Sequence, residues 1–286
     1  MSFDKEIYNS AHQYKCKNNL LVVAFGNSEY TKVILQWLLL LGKLNVSNYL
    51  IVSLDEKLYK LLSYFGYHAV RSDFSGSLGQ FWTYRSVILK KILECGLNIV
   101  HSDADALWLK NPIPEYFSKV EFDILSSQGT IWPPEILEKW GFVLCSGLVY
   151  YRSSQKVIKI FDSLIKASAK CNDDQRAFNN ILYGENINWS TDNIESYELC
   201  YKDKIFKCFK SVLRGEGESL NIGLLPHEGF QRLPQDDNGN IYVAHHLSAK
   251  NENAKIKLID KLKLDQAVIN NMFSSYAQYN ELGTKE

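Results

Sequence analysis

Asp103-Ala104-Asp105 lies between two apolar runs, Leu97-Asn98-Ile99-Val100 and Ala106-Leu107-Trp108-Leu109. Two carboxylates two residues apart at the end of a buried strand are costly to leave without a counter-charge. A divalent cation meets that need, and a cation held by only a few carboxylates keeps positions free for the oxygens of a diphosphate. Asn111-Pro112-Ile113-Pro114 then prevents continuation as a regular element. The segment therefore reads as a buried strand, an acidic elbow and a second short strand. Short Asp-x-Asp matches also arise by chance, and the competing reading is a strand ending in a solvated turn.

The elements that must position this elbow come before it. Residues 20–25 form an apolar strand, Gly26-Asn27-Ser28 a loop able to meet a ligand, and the chain through Leu41 a helix. A strand over 49–54, a helix over about 56–64 and a short strand near 68–70 follow. Phe81, Tyr84, Val87, Ile88, Ile92 and Leu93 recur at helical spacing over 81–95, and that helix feeds the acidic strand. Alternating β and α elements imply a parallel sheet covered by helices, with ligands outside the carboxyl ends of its strands, where the elbow falls. No Gly-x-Gly-x-x-Gly and no Walker-type loop is present, so a cation has to do what backbone amides do in those folds. Farther on, strands are expected at 122–127 and within 142–152, a surface loop at 129–134, and helices at 157–170 and from about Asp173.

With 286 residues, 46% of them hydrophobic and 13% aromatic, the chain can bury a substantial core, and one α/β domain is expected. Basic and acidic residues balance at 32 each, which argues against a generally basic surface for nucleic acid or anionic membrane. No apolar stretch has the length of a bilayer-spanning helix, and the N-terminus lacks the basic start and apolar centre of a signal peptide. The six cysteines show no Cys-x-x-Cys spacing, so a structural zinc site is not expected and a reducing compartment is. Together these features point to a cytoplasmic chain, free or peripheral at a membrane face.

In this order, six separated segments resemble the nucleotide-diphospho-sugar transferases of glycosyltransferase family 77 and, more distantly, family 8. They are the Val22 to Tyr30 strand and loop, Tyr84-Arg85, His101 to Pro112, Cys145-Ser146-Gly147, Asp174 to Asn179, and Val243-Ala244-His245-His246. The resemblance implies an α/β GT-A fold, Rossmann-like, in a single domain over 1–286. Its nucleotide-binding half would cover about 18–120, its acceptor half about 121–260, and a C-terminal helix 261–286. It implies a retaining transfer from a UDP-sugar, of a hexose or pentose such as galactose, glucose, xylose or arabinose, to a hydroxyl of a glycan, protein or lipid-linked acceptor.

For the site, the resemblance implies that Asp103 and Asp105 hold Mn2+ or Mg2+ together with a histidine after a C-terminal strand. His245 falls at that position, and His246 is its close competitor because strand neighbours face opposite ways. Phe25, Gly26, Asn27, Tyr30 and Ala104 would meet the donor nucleotide, and Lys255 its diphosphate. Arg85 would reach the donor or orient a metal carboxylate. Its alternative fate is an exposed helix cation. Asp174 would bind sugar hydroxyls and Gln175 would stabilise charge near the anomeric carbon, the alternative being an ordinary acidic helix start at Asp173 and Asp174. Same-face displacement and a covalent route through a carboxylate both fit these residues.

Two departures bear on sugar choice: Cys145 stands where the family pattern has Asn, and Arg176 where family 8 usually has an acid. Trp132, Trp140 and the Pro226 to Phe230 segment offer aromatics for an acceptor platform. Two other functions fit the acidic pair, a metal-dependent nucleotidyl- or phosphotransferase and a sugar-nucleotide-binding module without turnover.

Overall fold

The computed structural model describes residues 3–16, 18–72, 74–232, 240–245 and 266–283. A helix that the sequence reading did not include, α1 (Phe3–Tyr14), precedes the expected alternation of β1 (Leu20–Gly26), α2 (Thr31–Lys43), β2 (Tyr49–Ser53), α3 (Glu56–Tyr64), β3 (Ala69–Arg71), α4 (Leu78–Glu94), β4 (Asn98–Ser102) and β5 (Ala106–Trp108). Then come β6 (Ile124–Gln128), α5 (Pro134–Trp140), β7 (Leu144–Tyr151), α6 (Gln155–Cys171) and α7 (Asp174–Gly184). The remainder is mainly β: β8 (Asn188–Trp189), β9 (Ser196–Tyr201), β10 (Lys204–Phe209), β11 (Leu213–Glu216), β12 (Asn221–Leu224), β13 (Phe230–Arg232), β14 (Val243–His245) and a final helix, α8 (Gln266–Gly283).

A nine-stranded sheet in the order β3-β2-β1-β4-β7-β6-β12-β11-β8 forms the centre. Only β7 and β11 run against the other strands, so the sheet is mostly parallel, as a GT-A assignment requires. Strand β1 shows how its sequence covers two faces. Leu21, Val23 and Phe25 enter one core with Ile88 and Ile92 of α4 and Phe161 of α6, while Leu20, Val22 and Ala24 enter the other with Ile34 and Trp37 of α2. A strand buried on both sides has to be apolar throughout, because alternate side chains point to opposite faces.

The segment 129–134 differs from the expected surface loop. Gly129, Thr130 and Pro133 are buried, and Pro134 opens α5, whose Ile136 and Leu137 pack inward. Proline suits a first helical turn, where its missing N–H is not needed. The β9–β10 hairpin was not anticipated, and its turn explains why. Lys202 and Asp203 both take positive φ, 50° and 58°, in a turn normally signalled by Asn-Gly. Among the described residues no helix is long and apolar enough to cross a membrane.

Candidate metal and donor-binding site

The acidic elbow is built by pairing on both sides. After β4, the Asp103 amide donates to the Gly147 carbonyl at 2.7 Å, and the Ala106 amide closes back on the Asp103 carbonyl at 3.0 Å. Strand β5 then runs antiparallel to β14 with Ala106 opposite His245, which closes a separation of about 140 residues. Asp103, Asp105 and His245 are thereby brought together, each offering one ligand atom, with all three atoms within 4.8 Å of one another. His245 Nε2 lies 3.8 Å from Asp103 Oδ2 and 3.4 Å from Asp105 Oδ1. Bonds of about 2.1 Å put two donors on one ion roughly 3.0 to 4.2 Å apart, so these separations fit a small divalent cation. Gly147 keeps the space open. A Cβ there would stand 2.3 Å from Asp103 Oδ2 and 2.5 Å from His245 Cε1.

Arg85 is not an exposed helix cation. It is 4% exposed on α4, its Nη1 donates to Asp103 Oδ1 at 2.7 Å, and its Nη2 donates to Asp174 Oδ2. Trp82 and Phe81 lie under the guanidinium, 4.7 and 5.7 Å from its carbon. His101, which the sequence reading did not single out, places Nε2 3.3 Å from the same Asp103 oxygen and Nδ1 3.2 Å from the Val23 carbonyl. Burial alone would raise the Asp103 carboxyl. Arg85, with His101 and His245 behind it, outweighs burial and holds it well below the usual carboxylate range. One oxygen of Asp103 is thus engaged by protein, and the other faces His245. Such outer partners fix the orientation of metal ligands.

Cys145, at the position where the family pattern has Asn, sits behind the histidine. Its sulfur lies 3.5 Å from His245 Nδ1 and accepts the Gly147 N–H at 3.4 Å. Arg232 on β13 is paired in register with His245. Burial opposes a thiolate, but Arg232 and His245 bring the Cys145 thiol down to about 7. Against burial and Arg232, Cys145 and Asp105 bring His245 up to about 9.

In front of the elbow is a cavity of about 450 Å³ lined by Phe25, Gly26, Asn27, Tyr30, Arg85, Asp103, Ala104 and Asp105. The Asn27 side-chain oxygen is buried without a hydrogen-bond partner. Burial, followed by the charges of Asp105 and Asp103, pushes the Tyr30 hydroxyl up to about 12. Leu54, Asp55, Phe74, Phe81 and Trp82 also line this cavity and were missed. The signal for Leu54 and Asp55 was their place at the carboxyl end of β2.

The first turn of α7 divides two adjacent acids. Asp173 is the N-cap, accepting from the Arg176 amide at 2.8 Å, so the ordinary helix-start reading applies to it. Asp174 is buried against Arg85. Gln175 donates from Nε2 to the Trp132 carbonyl at 2.7 Å and does not line the cavity. The broader aromatic platform does not form. Trp140 packs on Phe142 and Trp189, and His227 and Phe230 are 2% and 1% exposed, which leaves Trp132. His246 and Lys255 lie outside the described residues.

The family model for nucleotide-diphospho-sugar transferases matches residues 44–264, most of the elements just described, and the chain belongs to that family. Two curated relatives from Arabidopsis thaliana are similar to it. The arabinosyltransferase XEG113 is 28% identical over 187 residues, 59% of this chain and 29% of the relative. The beta-arabinofuranosyltransferase RAY1 is 26% identical over 183 residues, 59% of this chain and 34% of the relative. The chain therefore spans about a third of the length of these relatives. Among solved structures, the bifunctional glycosyltransferase WbbM matches at 14% identity with a TM-score of 0.43, over 58% of this chain and 37% of WbbM. The galactosyltransferase LgtC with donor and acceptor sugar analogues matches at 10% identity with a TM-score of 0.40, over 57% and 69%.

Proposed function

We propose that this protein is a retaining glycosyltransferase that moves a sugar from a UDP-sugar to an acceptor hydroxyl. The observation that carries the reading is the convergence of His245 on Asp103 and Asp105, the two carboxylates that line the cavity, with Asp103 oriented by Arg85. Mn2+ or Mg2+ held by those three residues would neutralise the charge that builds on the leaving diphosphate. Phe25, Gly26, Asn27 and Tyr30 offer walls and polar contacts for the nucleotide. The names of the relatives concern arabinosyl transfer, which makes UDP-arabinose the first donor to test.

In the transfer, the bond between the anomeric carbon and the diphosphate oxygen breaks, and its electron pair leaves with the diphosphate. The acceptor oxygen bonds to the same face of that carbon, and its proton passes to the departing diphosphate oxygen. Same-face displacement suits this site better than a covalent route, because Asp103 and Asp174 are both tied to Arg85 and a carboxylate so paired is a poor nucleophile. Asp174 would bind sugar hydroxyls through its remaining lone pairs, and Gln175 would stand at the margin on the acceptor side.

A panel of UDP-sugars incubated with Mn2+, with and without EDTA, tests the reading through released UDP. One donor should be cleaved in a metal-dependent way. Asp105→Asn should lose about a hundredfold in rate, which corresponds to about 3 kcal/mol of lost charge stabilisation, while melting as the wild type does. The absence of both UDP release and Mn2+-dependent UDP binding would overturn the proposal, and pyrophosphate release from a nucleoside triphosphate would replace it with nucleotidyl transfer.

A further inference from the structure

Trp132 is 44% exposed, yet the protein holds it firmly. Its Nε1 donates to Asp173 Oδ2 at 2.7 Å, and its carbonyl accepts from Gln175 Nε2 at 2.7 Å. The Arg176 guanidinium lies 5.4 Å from the ring centroid and is anchored by Glu135 at 2.6 Å. A single exposed apolar side chain is ordinary on a protein surface. This one differs in that its polar edge and its backbone are both bonded to the first turn of α7, so the ring is fixed in place before any ligand arrives.

The same turn connects the ring to the chemistry. Asp174 follows Asp173 directly and is held by Arg85, which also holds Asp103 on the cavity floor. Trp132 itself does not line that cavity. It lies outside the cavity and is bonded to Asp173 and Gln175, the residues on either side of Asp174, whose partner Arg85 does line it. Saccharide rings present an apolar C–H face and a fringe of hydroxyls. A rigid aromatic face bordered by planar polar groups complements both, at little entropic cost. The Arg176 guanidinium, held by Glu135, lies over one face of the indole, and a sugar ring would stack on the other.

Resting on the glycosyltransferase reading, we propose that Trp132 is the platform for the acceptor, and that the acceptor is a saccharide with one ring stacked on the indole. The experiment uses the UDP-sugar that the wild-type protein cleaves, with methyl glycosides of arabinose, xylose, galactose and glucose as acceptors. Trp132→Ala should raise the acceptor KM about tenfold or more, as expected when an aromatic anchor is truncated. Trp132→Phe, which keeps a ring but cannot bond Asp173, should recover most of that loss. Calorimetry of UDP binding in the presence of Mn2+ reports whether the donor site still forms in each variant. Unchanged acceptor KM in Trp132→Ala overturns the inference, as does a wild type that uses hydroxylated peptides and no saccharide. A wild type that neither releases nor binds UDP fails the functional reading itself, a result distinct from both.

Discussion

At the residue scale the site depends on one small side chain and one large one. Gly147 leaves room for Asp103 Oδ2 and His245, and a methyl group there meets both under 3 Å. Neither neighbour can withdraw easily. Asp103 is held by Arg85, and His245 is paired through β14 and backed by Cys145. Gly147→Ala should therefore lower Mn2+ affinity by about tenfold to a hundredfold, the range seen when the partners of a metal ligand are lost. Titration of Mn2+ by electron paramagnetic resonance reads the effect, with circular dichroism confirming the fold. Unaltered affinity would mean that the elbow can widen. Arg85 shows how much of a residue's role depends on tertiary context. On its helix it reads equally well as a surface cation, and burial between two carboxylates makes it the clamp on Asp103.

At the element scale, Asp55 joins two parts of the cavity wall. Its Oδ1 caps α3 by accepting the Leu58 amide at 2.8 Å, and its Oδ2 accepts the Ser28 amide at 2.7 Å across the loop between β1 and α2. Burial opposes the charge, but the Leu58 and Ser28 amides keep the Asp55 carboxyl below its ordinary range. Asp55→Ala should cost about 1–2 kcal/mol of stability, the size of a lost cap, and loosen the loop carrying Asn27. Chemical denaturation and UDP titration measure the two effects. A stability loss with unchanged UDP affinity would confine Asp55 to helix capping. The alternation of elements from β1 through β5 was legible because short, continuously apolar strands alternate with helices of 3.6-residue period, whereas the later hairpin carried no recognisable turn sequence.

At the scale of the whole molecule, acid stability reports on buried histidine. His227 is 2% exposed, with Nδ1 2.7 Å from the Tyr197 hydroxyl, and burial pushes it down to about 4. An unfolded histidine titrates near 6.5. Below that pH the unfolded chain binds the proton that the folded chain refuses, so stability falls as pH drops from about 6.5 towards 4. The contribution lost by pH 5 is about 2 kcal/mol. His68 and His101, also lowered by burial, act in the same direction. The useful quantity is therefore a difference: the decline in melting temperature from pH 7 to pH 5 should be smaller in His227→Gln than in wild type. Equal declines would show that His227 takes up its proton without unfolding.

The sequence by itself determined the α/β alternation, the acidic elbow after a buried strand and the loop that follows β1, because periodicity and turn chemistry act over a few residues. Tertiary structure decided which atoms face one another. Antiparallel pairing of β5 and β14 brings His245 to Asp105, packing of α4 against the sheet turns Arg85 inward, and the first turn of α7 splits Asp173 from Asp174. Those outcomes depend on strand register and helix rotation against distant elements, which no local pattern of residues encodes.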